Sequence, residues 1–560
     1  MPYFNIQKLF LIDSFDLTEK EKEDLENYLN FLEESDVGSI IEKQIKKNKS
    51  SGGRPSYDPY KLFAGIAYGF SKCDGSLRKL EDFMKYDLRF LYINEQQRPS
   101  YSTISRFCNN YVVAFYKEIY ISLVKKFIEK FNINIDDCFV DGTKIEANAN
   151  KYKFIWKPTT FHKNLNLKIL DLLDKYFEVD KEQKLTSSEV SQYLTSLGKY
   201  IIDEQGKINQ NGKGHKITKL DKDYYNLENY LGKLLDYEDK EEICGPYRNS
   251  FYKTDHDATA MCLKTDYYAG LGSNMHAAYN VQFIVSKGII LDFIVSQERN
   301  DLGAFIPLID DFKYYFGYFP KNICADAGYG SINNYQYLNK NNIGNYVKYN
   351  MWEKQKNGSY YELISFDEDG NLRCLNDKIL RLCNKNETNR HPKSKSYLIY
   401  KVDNCRYCKF KAYCMNNLKD KKQKYRIFEI SPIMIKFRKQ ARDNLLTIKG
   451  IEMRVNRSAQ VEGAFGVVKQ DMQFDRFRRK GLDNVSLEMM FICLGYLIRK
   501  LFSIYNGKGK FDYWIAPSDI KPEEFPKVVK GEKLIIKKHR TKSDNEKTKA
   551  KYKYQKIPKK

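Results

Sequence analysis

Three acidic residues stand where an acid can do more than face water: Asp141 in FVDGTKIEANAN, Asp326 in NICADAGYGS and Glu462 in NRSAQVEGAFGVVKQ. The two aspartates end apolar, strand-like runs, and the glutamate sits inside a helix-like run. Carboxylate oxygens are hard ligands that suit Mg2+ or Mn2+, and acids from several elements can hold two such ions on either side of a scissile phosphate. Singly, each acid has a plainer reading. Asp141 precedes Gly142 and could open a turn, Asp326 could cap the helix after it, and Glu462 could be a solvated helix glutamate. Together, beside Val140, Ala325, Val461 and Gly463, they point to in-line attack on a phosphodiester with no covalent protein nucleophile.

A second cluster is made of thiols. Cys405 and Cys408 stand at C-x-x-C spacing, Cys414 follows closely, and Cys374 and Cys383 lie upstream. Thiolates so spaced, with a fourth from a distant hairpin, are the donors of a tetrahedral structural Zn2+ site, and Cys374, Cys405, Cys408 and Cys414 are the expected set. Cys383 is the alternative fourth ligand, and buried thiols without metal are the competing reading. Twelve cysteines in 560 residues are too few for a disulfide scaffold.

Several kinds of element must position these groups. To about residue 125 the pattern is helical. In DPYKLFAGIAYGF, Asp58 is the expected cap, Pro59 the first helical residue, and Leu62, Phe63, Ile66, Ala67 and Phe70 the apolar stripe. After Arg98-Pro99-Ser100 a further helix opens with Ser102, Thr103, Ser105 and Arg106, which is how a helix-turn-helix would present groups to DNA; a plain helical bundle is the alternative. Strand patterns begin near residue 134 and return in HAAYNVQFIVSKGIILDFIVSQE, a hairpin about Ser286-Lys287-Gly288. A helix through LGAFIPLIDDFKYYF and the strands NICA and IGNYV follow. A charged helical insertion is expected over 151–250 and a cysteine-bearing one over 351–440, within a mixed α/β core that runs from 134 to 350 and closes with helices over 441–510. A basic tail over 515–560 lacks a sustained apolar period and is expected to be disordered.

The net charge of +23 suits a polyanionic partner, although abundant Lys, Asn, Ile and Tyr also mark AT-rich coding. The basic run Arg476, Arg478, Arg479 and Lys480 after the glutamate helix is the expected phosphate grip. No stretch approaches the roughly 18 apolar residues of a membrane span, and the start lacks a signal-peptide plan, so a cytoplasmic protein without membrane contact is expected.

The pieces GRPSYDPYKLFAGIAYGF, VDGTKIEANANKY, AYNVQ, ADAGYGS and RSAQVEGAFGVVKQDMQFDRFRRKG, in this order over roughly residues 50–505, resemble DDE-type insertion-sequence transposases. The resemblance implies an RNase-H-like core of retroviral-integrase type behind an N-terminal helical domain. It also implies Asp141, Asp326 and Glu462 as ligands of two Mg2+ or Mn2+ ions, and double-stranded DNA, both element ends and target, as partner of a homo-oligomer. The implied activity is cleavage and strand transfer. A nuclease that only hydrolyses, or a DNA-binding descendant without catalysis, are the alternatives. Related enzymes carry a Tyr-Arg-Glu-Lys signature on the glutamate helix. Here Lys469 keeps the spacing to Glu462 and is implied to reach the same DNA end, but Arg457 comes one residue early and Val455 replaces the tyrosine. That departure bears on end processing, including any hairpin intermediate.

Overall fold

The computed structural model describes residues 17–47, 57–72, 75–212, 216–246, 248–383, 397–415, 424–509, 511 and 513–526. Its centre is a curled mixed sheet of β1 (Asp137–Glu146), β2 (His276–Ser286), β3 (Ile289–Ser296), β4 (Asn322–Ala325) and β5 (Gly344–Val347). The order is β3-β2-β1-β4-β5, with a short strand, Thr259–Met261, pairing β2 beyond the end of β3. β1, β2 and β3 are antiparallel neighbours, whereas β4 and β5 run parallel to β1. This mixed α/β arrangement is compatible with an RNase-H-like DDE domain. The β2–β3 hairpin turns at Lys287 and Gly288, both at positive φ (51° and 68°), the geometry that suits the twist of a two-residue loop.

Side-chain alternation gives the sheet two working faces. Asp141 pairs with Phe283, whose ring stacks at 4.5 Å on Phe465 of the short helix Gly463–Gly466. Gly142 pairs with Gln282 on the opposite face, where Tyr329 donates to the Gln282 carbonyl oxygen and packs on Phe305 of the helix Phe305–Phe316. Helices therefore cover both sides, which is why β2 is buried from Ala277 to Ser286.

The N-terminal helices are continuous with this core. Asp58 caps the helix Pro59–Phe70 through the Tyr60 and Lys61 amides. Instead of exposing a polar face, that helix is buried from Lys61 to Phe70. Lys61 itself pairs with Glu95 at 3.3 Å. It crosses the long helix Leu482–Tyr505 so closely that a Cβ on Gly495 would lie 2.4 Å from the Phe70 carbonyl oxygen. One apolar cluster runs from Leu25 and Phe63 through Val140 and Phe283 to Leu494. The helix Tyr116–Lys130 adds a buried tie: Lys117 pairs with Asp292 of β3 and, at 2.7 Å, with Asp311.

Two segments have cores of their own. The helices Thr159–Leu173, Ser187–Gln205 and Lys219–Cys244 pack around Leu165, Ile169, Leu197 and Leu227. The short strands between Ile364 and Ile430 pack around Ile364, Leu372, Val402 and Phe428.

The run from Tyr101 passes from α over Tyr101–Phe107 to a π turn over Cys108–Val112 before the helix Tyr116–Lys130. At the start of the tail, Glu523 pairs with Arg454 at 2.7 Å and Phe525 packs 5.0 Å from Trp352. The remainder of the tail, 527–560, lies outside the described residues.

Gly142 leaves room that Gln282 fills. A Cβ there would stand 2.0 Å from the Gln282 amide nitrogen, inside a sheet that cannot open. Gly142→Ala is expected to cost about 1–3 kcal/mol through overpacking, measured as a lowered thermal midpoint.

Candidate active site

β1 and β4 bring two of the three acids together. Their parallel register pairs Val140 with Ala325, so Asp141 and Asp326 each follow a paired residue on strands about 4.8 Å apart. Each carboxylate accepts a neighbouring backbone amide: Asp141 that of Gly142, within β1, at 2.8 Å, and Asp326 that of Gly328, in the turn after β4, at 2.7 Å. Burial pushes the Asp141 carboxyl up from its ordinary range, Arg457 pulls it back, and the charge of Asp326 adds to the rise.

Arg457 joins the third acid to the pair. Its guanidinium donates to Asp141 at 3.0 Å and lies 3.8 Å from a Glu462 oxygen. The Arg457 side chain is only 11% exposed, whereas Glu462 is 62% exposed. Residues five apart do not share a face of an α-helix, but the helix Ile448–Arg457 continues into a π turn over Ser458–Glu462. An i→i+5 turn brings Arg457 and Glu462 to one side, which takes up the residue by which the arginine stands early. A second π turn, Val467–Asp471, carries Lys469, whose ammonium donates to Thr143. Thr143 lies two residues past Asp141 and so on the same face of β1. Burial lowers the Lys469 pKa. Val461, Val468 and Met472 are buried in the core cluster, and Phe465 packs against it.

The opposite face carries a support that the sequence did not reveal. The Gln282 amide donates to Asp301 at 2.9 Å and to Asn280 at 2.9 Å, Asn280 also donates to Asp301, and Tyr329 closes the network from the Asp326 loop. Gln282 lies within AYNVQ, yet nothing in that run distinguishes it from a strand filler. Only the register that sets it over Gly142 does so.

The expected DNA-contacting residues fall in two places. Ser102 and Arg106 are exposed on the helix Tyr101–Phe107, with the Arg106 Nε donating to the Ser102 carbonyl oxygen at 3.4 Å, and the Thr103 amide donates to the capping hydroxyl of Ser100. Arg476 lies 4.0 Å from Glu146 at the end of β1, Arg478 and Lys480 are exposed, and Arg479 donates to Asn109 at 2.7 Å, 370 positions away.

Cys374, Cys405, Cys408 and Cys414 line one small cavity of about 20 Å3 with Val402, Phe410 and Phe428. The Cys405 thiol donates to the Val402 carbonyl oxygen at 3.4 Å, and burial pushes Cys414 up to about 11. Cys383 does not line the cavity. Among the described residues, no group of three or more His, Cys, Asp or Glu side chains is arranged to hold a metal ion. At the acids the physical reason is Arg457, whose guanidinium stands between Asp141 and Glu462. The donor chemistry still fits hard divalent ions, since two like charges on adjacent strands and a third acid within reach of one guanidinium are all oxygen ligands. Among the described residues no helix is long and apolar enough to cross a membrane.

Two families match the chain: Transposase DDE domain over residues 373–502 and Transposase domain (DUF772) over residues 16–110. The first contains Glu462, Lys469, the basic run and the thiol cluster; the second contains the helices from Glu19 to Phe107; Asp141 and Asp326 lie outside both. No curated protein and no solved structure matches.

The charge arrangement makes two variants of the metal-free protein move oppositely. Arg457→Ala leaves Asp141 without its counter-ion and is expected to cost roughly 1–3 kcal/mol, between an exposed and a buried pair. Asp326→Asn keeps the oxygen that accepts from Gly328, relieves the repulsion, and is expected to raise the thermal midpoint slightly. A fall for Asp326→Asn as large as for Arg457→Ala would show that the two aspartates are not in electrostatic tension.

Proposed function

Starting from a DDE-type insertion-sequence transposase, which the two matches support, we propose that the chain binds the ends of its element in double-stranded DNA, cuts the phosphodiester there and joins the freed end to target DNA. The DDE domain match points to a nuclease or transferase enzyme, and transposases of this type bind DNA and generally use divalent metal ions. The observation that carries the reading is the set of three acids, two on paired parallel strands and the third tied to them by Arg457. The strand order β3-β2-β1-β4-β5 supports an RNase-H-like core as their scaffold.

Asp141, Asp326 and Glu462 would hold two Mg2+ or Mn2+ ions, which when bound supply an activated oxygen nucleophile and stabilise the leaving oxygen. The protein's own groups do the rest. β1 and β4 fix the spacing of the aspartates, and Glu462 approaches from an exposed turn that can adjust. Arg457 neutralises the pair in the absence of other cations and is placed to turn towards a phosphate. Lys469, anchored beside Asp141 through Thr143, adds positive charge where the DNA end arrives. Ser102, Thr103 and Arg106 are the groups proposed to read base edges, and Arg476, Arg478, Arg479 and Lys480 to grip phosphates, within a homo-oligomer formed on DNA.

The test is to incubate purified protein with Mg2+ and a duplex carrying the DNA that flanks its own gene, and to map cut and joined products. Asp141→Ala, Asp326→Ala and Glu462→Ala are each expected to reduce cleavage to background while duplex binding stays within about twofold of wild type. Unchanged cleavage by Asp326→Ala would exclude the site, and hydrolysis without joined products would favour a nuclease.

The four thiols are donors of the right kind for one structural Zn2+ that would organise the segment between Ile364 and Ile430 without taking part in the chemistry. Protein purified without chelator is expected to carry near-stoichiometric zinc by elemental analysis, and its absence would leave the cysteines as packing groups.

A further inference from the structure

A cavity of about 490 Å3 opens between the N-terminal helices and the segment that follows the glutamate helix. One wall carries Tyr101, Ser105 and Asn109, spaced four apart along the helix Tyr101–Phe107 and its π extension. The other wall carries Arg478, Arg479 and Lys480, and Arg78 closes the groove with its guanidinium 5.4 Å over the Tyr101 ring.

The basic wall is held in place from behind. Glu488, 1% exposed on the helix Leu482–Tyr505, accepts the Arg478 amide at 3.1 Å and the Arg479 amide at 2.9 Å. Burial pushes Glu488 up to about 7, and those two amides are the main groups that pull it back. Among the described residues it is the one carboxylate lining the cavity, against four cations. Arg479 ties the walls together through Asn109, and the Asn148 amide donates to the Arg478 carbonyl oxygen at 2.7 Å, which links the wall to the chain just past β1. At about 3.3 Å per strand residue, the groove lies on the order of 20 Å from Asp141 along that strand.

We propose that this groove binds the phosphodiester backbone of duplex DNA on the flank of the cleavage site, with Arg78 and Lys480 as direct phosphate contacts and Glu488 as the positioning residue for the basic wall. Cations around a polar, aromatic wall are the donor set of a backbone grip, and a second grip on the order of 20 Å from the reacting phosphate fixes the direction of the duplex. The proposal rests on the DNA-processing reading. It differs in joining the two ends of the chain in one site and in turning Tyr101, Ser105 and Asn109 towards the DNA backbone, leaving Arg106 outside the groove.

The test is fluorescence anisotropy with a labelled random-sequence duplex over a salt series. The Arg78→Ala, Lys480→Ala double variant is expected to bind about tenfold more weakly at moderate salt, with the log–log salt slope shallower by about two phosphate contacts. Glu488→Ala, which removes no cation, should weaken binding severalfold, and Glu488→Gln, which keeps an acceptor oxygen, should restore most of it. A double variant that retains the wild-type slope and affinity would overturn the groove while leaving the DNA-processing reading intact. A wild-type protein that shows no salt-dependent binding would overturn both. Equal losses for Glu488→Ala and Glu488→Gln would remove Glu488 from the proposal.

Discussion

The parallel pairing of β1 with β4 is the constraint around which the rest is arranged. It places two carboxylates side by side, one within β1 and one just past the end of β4, where burial and mutual repulsion both disfavour the charge of Asp141. A protein selected for stability alone would not keep that pair. Its persistence demands compensation on both faces: a guanidinium above, from Arg457, and a polar support below, from Gln282, Asn280, Asp301 and Tyr329. The glycine at 142, the π turn at Ser458–Glu462 and the burial of Gln282 are consequences of fitting these partners around one pair of acids.

Much of this was legible in the sequence, and the reason differs by element. The hairpin at Ser286-Lys287-Gly288 was readable because alternating apolar runs flank a turn that needs positive φ, and the start of the helix at Pro59 because Asp58 and Pro59 are local cap chemistry. Asp141 and Asp326 could be picked out because each ends an apolar run, although β1 itself continues past Asp141 to Glu146. What the sequence hid was register. The helix Pro59–Phe70 reads as amphipathic, yet the crossing at Gly495 and the pairing of Lys61 with Glu95 bury it all round. Arg457 reads as displaced because a 3.6-residue period is assumed, and no local pattern signals a π turn. Gln282 and Asp301 meet through strand pairing that only the folded sheet defines.

The π turns are placed where side chains must be re-aimed. One brings Arg457 beside Glu462, one carries Lys469 over β1, and one follows the helix whose face includes Tyr101 and Ser105. Such turns are rare because their hydrogen bonding is poorer than that of the α-helix, and they concentrate at functional sites. Among the described residues, all of them lie in segments that carry candidate site or DNA-facing residues.

The apolar cluster that runs unbroken from Leu25 to Leu494 has a meaning for how such a chain can diversify. With Gly495 pressed on the Phe70 carbonyl and Lys117 buried against Asp292 and Asp311, the N-terminal helices are not a cassette that recombination could exchange for another DNA reader. A graft would open a core rather than a linker. New recognition must therefore arise by substitution on exposed faces, one side chain at a time, while the two ends of the gene remain bound to a common ancestry.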